Sequence, residues 1–152
     1  MPAFVTFGRI LFAVLFIYSG AAKLFDIATV AANIDKTVLV TFPALVTPYM
    51  TQLSDMTGMP MPRMLAIAVG AFEVIAGLMI AVNFGARFFA ILLIFFVAAV
   101  TFYFHDFWNQ PGPSDGKMLV EALKNLSIIG ALFMIAGYGR HSQVSEPAYG
   151  DV

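Results

Sequence analysis

The stretch MLAIAVGAFEVIAGLMIAV, residues 64–82, decides the fold. It runs nineteen residues with one ionisable side chain, Glu73, at its centre. A helix rises about 1.5 Å per residue, so about twenty apolar residues cross the ~30 Å of hydrocarbon in a bilayer. Three further stretches of this kind lie at residues 4–24, 88–104 and 118–138. The whole chain is 61% hydrophobic and 11% charged, against about 25% charged in a soluble domain. A chain of 152 residues has too little interior to hide that much apolar surface from water, so lipid is the expected solvent.

Strands do not fit these runs, which are long and lack polar alternation, and four strands close no barrel. The expected architecture is all-α: an integral membrane four-helix bundle with an interfacial helical segment between the first and second spanning helices. One membrane domain, 1–152, holds helices at about 3–25, 63–83, 87–106 and 117–138, a long connection at 26–62 and a polar tail at 139–152. Asn83-Phe84-Gly85-Ala86-Arg87 reads as a tight connection, which makes the second and third spans antiparallel neighbours. In the long connection, Ile27, Val30, Ala31, Ile34 and Val38 recur at helical spacing, the pattern of an amphipathic helix in the interface. Pro43 and Pro48 are expected to break it, and Pro62 suits the first turn of the second span. The first stretch reads as a retained helix: it lacks a basic leader and exceeds a signal peptide's usual apolar length, although Ser19-Gly20-Ala21-Ala22 offers a competing cleavage signal.

With no cysteine in the chain, disulfides, iron–sulfur clusters and thiolate nucleophiles are excluded together. A net charge of −1 gives no basic face for nucleic acid. Arg9, Arg87 and Arg140 fall on one side of the expected bundle and Lys23, Lys36, Arg63 and Lys117 on the other, so charge counting does not orient it.

The informative residues are charges that a lipid anchor has no need of. Arg9 lies about two turns into the first span, Glu73 at the middle of the second, and Glu121, Lys124 and Asn125 in the first two turns of the fourth. Such groups cost about 2.5–3.5 kcal/mol each in lipid and normally face the bundle. Helical spacing places Arg9, Phe16, Gly20 and Lys23 on one face, Ala66, Gly70, Glu73 and Gly77 on another, and Glu121, Lys124, Ile128 and Ala131 on a third. All three faces are expected to point inward. Depth suggests that Glu73 pairs with Arg9 or Lys124, and Glu121 with Lys23 or His105. The cluster Arg9, Lys23, Glu73, His105, Glu121, Lys124 and Asn125 reads either as buried ion pairs that fix helix order or as a ligand site. For Lys23 and Arg9, snorkelling to the interface is a third reading.

Several of these residues belong to a recognisable pattern. Gly8-Arg9 opens the first span and Ser19-Gly20-Ala21-Ala22-Lys23-Leu24 closes it. Glu73 and Gly77 mark the second span, Thr101-Phe102-Tyr103-Phe104-His105-Asp106-Phe107-Trp108 ends the third, and Lys124-Asn125-Leu126 lies in the fourth. The chain resembles the DoxX family of small bacterial membrane proteins, related to the DoxD subunit associated with thiosulfate:quinone oxidoreductase. The resemblance implies four spans in the inner (cytoplasmic) membrane with cytoplasmic termini. It also implies a link to quinone-coupled sulfur oxidation or oxidative-stress complexes, without an agreed catalytic mechanism.

The only two histidines, His105 and His141, are expected near opposite membrane faces, so the chain is not expected to ligate a haem by itself. No intrinsic cofactor and no metal site is expected. Electrons would travel on a bound organic carrier or in another subunit, and a quinone or a lipid headgroup near His105 and Lys124 is the natural ligand. Phe104, Phe107 and Trp108 stand close by, although aromatic residues gather at interfaces for amphipathic reasons alone. Met50, Met56, Met59, Met61 and Met64 offer soft ligands for Cu(I), but methionine is also a common gap-filler. No nucleotide or metalloprotease motif occurs. The expected function is a membrane subunit of, or partner to, a redox or oxidative-stress complex, binding quinone or lipid at the polar cluster. The alternatives are a structural or assembly subunit without ligand chemistry and a small transporter. Expected partners are membrane lipids and other membrane subunits or further copies of the chain.

Overall fold

The computed structural model describes residues 3–36, 43–104 and 116–138. They form six helices: α1 (Ala3–Phe25), α2 (Ile27–Ile34), α3 (Pro43–Thr57), α4 (Met61–Ala81), α5 (Ala86–Phe104) and α6 (Lys117–Tyr138). Four of these, α1, α4, α5 and α6, are long and apolar enough to cross a membrane. Their outer surfaces are apolar as well: Phe4 is 90% exposed, Phe25 91% and Phe95 70%. In water such a belt would drive aggregation. In hydrocarbon it is solvated, and the structure is that of a four-helix membrane bundle.

The chain passes from α1 to α2 almost without interruption. The N–H of Asp26 still bonds to Ala22 O at 3.2 Å, while its carboxylate accepts from the Thr29 N–H at 3.3 Å and so caps α2. Ile34 of α2 is buried and Ile27, Val30 and Ala31 are half-buried, with α2 packed on α4. Val38, the last position of the expected amphipathic pattern, lies outside the described residues.

Contrary to the sequence expectation, Pro48 does not break a helix, and Pro43 stands at the start of a new one. Pro43 opens α3, where the missing N–H has no helical partner in any case. Pro48 lies inside α3, where the bond that its N–H would have made back to Ala44 is missing and its ring crowds that carbonyl, a penalty of about 3 kcal/mol that a fifteen-residue helix can carry. The hydroxyl of Thr51 donates to Pro48 O at 3.2 Å. Gly58, with φ of +69°, ends the helix and donates its N–H to Ser54 O at 2.8 Å. Helix α4 then begins at Met61, two residues before the position read from the sequence, because Pro60 and Pro62 fit around a helix start.

The α4–α5 turn is closed by two bonds of a C-terminal cap. Phe84 N–H reaches Met79 O at 2.9 Å and Asn83 N–H reaches Ile80 O at 3.2 Å. That cap needs one left-handed residue, and Asn83 supplies it with φ of +61°. Helices α4 and α5 therefore lie side by side and antiparallel. Helix α1 packs on α4, α4 on α5, and α5 on α6. The core that joins them comprises Ala13, Phe16, Ala76, Ile80, Ala86, Ala90, Leu93, Val97 and Leu132.

Glycines set the closeness of α1 and α4. A Cβ added to Gly20 would lie 2.5 Å from Gly70 O, and one added to Gly77 would lie 3.1 Å from Ala13 O. With Gly20 opposite Gly70 and Gly77 opposite Ala13, the two helices run antiparallel with backbones nearly touching. Small residues permit this in lipid, where packing and polar contacts replace the hydrophobic drive between helices.

Candidate functional site

The α1–α4 seam carries the one buried charged residue among those described, Glu73. Lys23, in the last turn of α1, places Nζ 2.8 Å from Glu73 Oε2 and 3.0 Å from Oε1. The same ammonium donates to Ser19 Oγ at 2.6 Å, one turn back along its own helix. The glutamate side chain is 4% exposed and the lysine side chain 29%. Three oxygens thus surround an ammonium that has three hydrogens to give.

The sequence reading paired Glu73 with Arg9 or Lys124, and the structure corrects it to Lys23. The reason is the direction in which helical side chains lean. Each tilts toward the N-terminus of its own helix. Because α1 and α4 are antiparallel, Lys23 leans back toward the level of Ser19 while Glu73 leans the opposite way, toward the level of Leu24. The two heads converge although their backbones stand at different depths. Matching charges by Cα depth alone missed this, as it missed Ser19. The available signal was the i, i+4 spacing of Ser19 and Lys23 on a helix face already assigned inward.

A second polar contact joins α5 to α6. Asn125 Nδ2 donates to Thr101 Oγ1 at 2.9 Å, and the threonine hydroxyl passes its own hydrogen to Val97 O at 2.7 Å. Asn125 was expected at the cluster, whereas Thr101 entered only as part of the helix-three motif. Interhelical bonds of this kind contribute on average about 0.6 kcal/mol in a membrane bundle.

Glu121 and Lys124 do not point inward as expected. They bond to each other at 2.7 Å on the outer surface of α6, with side chains 49% and 61% exposed. The inward seam of α6 is instead Ala122, Asn125, Ile129, Leu132 and Ala136, one position round the helix from the predicted face. Lys23, expected as one of two partners for Glu121, is held by Glu73; the other, His105, lies outside the described residues. Arg9 is half-buried with Nε shielded, some eleven residues along α1 from Gly20, and does not meet Glu73. The six described residues of the expected site therefore form separate groups rather than one cluster.

Among the described residues no three histidine, cysteine or acidic side chains gather as a metal site would require. Of the methionines considered as Cu(I) ligands, Met64 accepts a hydrogen bond through Sδ from the Thr57 hydroxyl at 3.2 Å, and Met56 and Met59 are exposed. One open cavity of about 600 Å³ lies between α2, α3 and the start of α4, bordered by Asp35, Ser54, Asp55 and Arg63. It is separate from the Lys23–Glu73 pair.

A family model described as DoxX matches residues 4–106, more than half of the chain. The chain belongs to the DoxX family. The DoxX match runs from the start of α1 to the end of α5, so it contains Lys23, Glu73 and Thr101 but stops short of α6. Inner membrane protein YphA of Escherichia coli (strain K12) is 34% identical over 79 residues, 52% of this chain and 56% of that protein. The alignment thus spans little more than half the length of that relative. No solved structure matches. The protein is a DoxX-family integral membrane protein, and the Lys23–Glu73 pair is the best-enclosed polar feature among its described residues.

Proposed function

We propose that the protein is a non-catalytic membrane subunit, or assembly partner, of a redox or oxidative-stress complex in the bacterial inner membrane. In this reading the Lys23–Glu73 pair holds the frame of the bundle. The redox setting is taken from the family resemblance and the inner membrane from the similarity to YphA. The framing role rests on one observation: the Lys23 ammonium already faces Glu73 Oε1, Oε2 and Ser19 Oγ, which leaves it no hydrogen for a quinone carbonyl. A transporter reading is less well supported, because Glu73, near the middle of α4, is buried.

Gentle extraction followed by mass spectrometry of the intact complex tests this reading. The expected result is a stable association with a different membrane chain that survives Lys23→Met only to the extent that the bundle itself survives. Recovery of the chain with no partner under every mild condition would count against it.

A second reading, binding of quinone or a lipid headgroup, is favoured by the partial exposure of Lys23, which leaves the pair approachable from one side. It predicts that quinone or a defined lipid co-purifies and is lost in Lys23→Arg and Ser19→Ala, variants that alter the exposed side of the pair. Unchanged retention in both variants would remove it. For orientation, the proposal takes both termini to be cytoplasmic, as the family resemblance implies. A periplasm-activated phosphatase fused after Tyr138 should then be silent, and the same reporter inserted at Gly58 active; the reverse pattern would invert the topology.

A further inference from the structure

The cavity between α2, α3 and the start of α4 is bordered by charges from three helix ends. Asp35 is the C-cap of α2, Asp55 lies in the last turn of α3, and Arg63 is the third residue of α4. All three are exposed and border one space of about 600 Å³, inside the ~300–1,000 Å³ of ordinary small-molecule sites. Among the described residues, no hydrogen bond or ion pair joins the Arg63 guanidinium to either carboxylate. The cavity therefore offers charges of both signs that are not spent on one another. The lining between them is small or apolar, with Ala32, Met61 and Pro62, and carries the Ser54 hydroxyl. Arg63 stands about 3 Å along a spanning helix, which sets the cavity level with one membrane surface rather than in the hydrocarbon.

We propose that this cavity holds the headgroup of a phospholipid that carries a primary amine, the phosphoethanolamine class. The phosphodiester meets Arg63, whose planar fork can donate to two oxygens at once. The ammonium meets Asp35 and Asp55, with three hydrogens to give to oxygens that only accept. A headgroup charged only at its phosphate would satisfy Arg63 but set an anion against two carboxylates. A bare metal cation would satisfy the carboxylates but face the guanidinium. None of the described lining residues is aromatic, so the rings that recognise a quaternary ammonium are missing, and choline has no N–H for the carboxylates. The lipid source follows from the place. At the start of a span the headgroup arrives on a molecule whose acyl chains stay in the adjoining bilayer, which keeps its effective concentration high. The cavity is separate from the Lys23–Glu73 pair, so the inference does not rest on the function proposed above.

The test is native mass spectrometry of the intact protein released from nanodiscs with equal amounts of dioleoyl phosphatidylethanolamine, phosphatidylcholine and phosphatidylglycerol. Retained phosphatidylethanolamine is expected in about tenfold excess over either other lipid. Arg63→Gln should lower that retention about tenfold, as expected when hydrogen bonds to a charged group are lost. Asp35→Asn combined with Asp55→Asn should leave lipid bound but remove the preference for phosphatidylethanolamine over phosphatidylcholine, because only the phosphate contact then remains. Ala32→Leu, which fills the cavity and keeps every charge, should lose the lipid as Arg63→Gln does. Lys117→Gln, on the same membrane face but outside the cavity lining, should change nothing. The substituted side chains are all exposed, so unfolding midpoints in lipid-free detergent should match the parent's, which separates loss of the lipid from loss of the fold. Equal retention of the three lipids by the parent, unchanged retention in Arg63→Gln, or an equal loss in Lys117→Gln would overturn the proposal. So would displacement of the lipid by millimolar glycerophosphoethanolamine, which would assign the cavity to a water-soluble amine.

Discussion

Lys23→Met should be the most damaging single substitution in the protein, lowering stability by about 3–5 kcal/mol as expected when one partner of a buried ion pair is removed. The loss is unequal between the partners because their exposure is unequal. Removing the lysine leaves a carboxylate whose side chain is 4% exposed and whose partner among the described residues, Lys23, is gone. Glu73→Gln should cost less. Its amide oxygen still accepts from Lys23, and the lysine, 29% exposed, can turn its head toward the headgroup region. The double variant Lys23→Met with Glu73→Leu should recover much of the loss, since apolar replacement of a whole buried pair is often close to neutral. Unfolding midpoints in mixed detergent would report all three. A single Lys23→Met variant as stable as the parent, or a double variant no better than the single, would show that the pair does not hold α1 to α4.

The second large effect is expected at Gly20. An alanine Cβ there would stand 2.5 Å from Gly70 O and 2.9 Å from Glu73 Cβ. The first is backbone and the second is fixed to it, so α1 and α4 must separate. Overpacking of this kind costs about 1–3 kcal/mol, and Gly20→Leu should exceed that range. The same separation lengthens the 2.8 and 3.0 Å contacts of Lys23, which makes the Gly20 and Lys23 substitutions non-additive. Gly8→Ala provides the control on the same helix, because a Cβ there meets nothing within 4 Å and alanine favours the helix. Equal unfolding midpoints for Gly8→Ala and Gly20→Ala would mean that the close approach is absent.

The four spans were legible because hydrocarbon sets their length and apolarity, and residues 64–82 carry both properties on their face. The inward faces of α1 and α4 were legible too, since glycines at 20, 70 and 77 and the carboxylate at 73 share the helical repeat. Less legible was anything that turns on one residue of rotation or on side-chain reach. On α6, polar groups occupy two neighbouring faces. Choosing the charged face as inward ignored that Ala122, Ile129, Leu132 and Ala136 form a continuous apolar seam with Asn125. Helix α3 escaped because a proline was weighed as a full stop, when its cost is a finite penalty of about 3 kcal/mol. The Glu73 partner escaped because the lean of a lysine moves its charge by a full turn.

The fifty-residue step in sequence from Lys23 to Glu73 imposes an order on biosynthesis. At about 5–20 residues per second, the lysine enters the bilayer several seconds ahead of its counter-ion. The long cationic chain comes first, at a helix end where water is within reach. The short anionic one comes second, in mid-helix, where it could not wait alone. Exchanging the two residues would keep the finished pair but leave a lone carboxylate during insertion, so the positions of Lys23 and Glu73 suit the route into the membrane as well as the completed bundle.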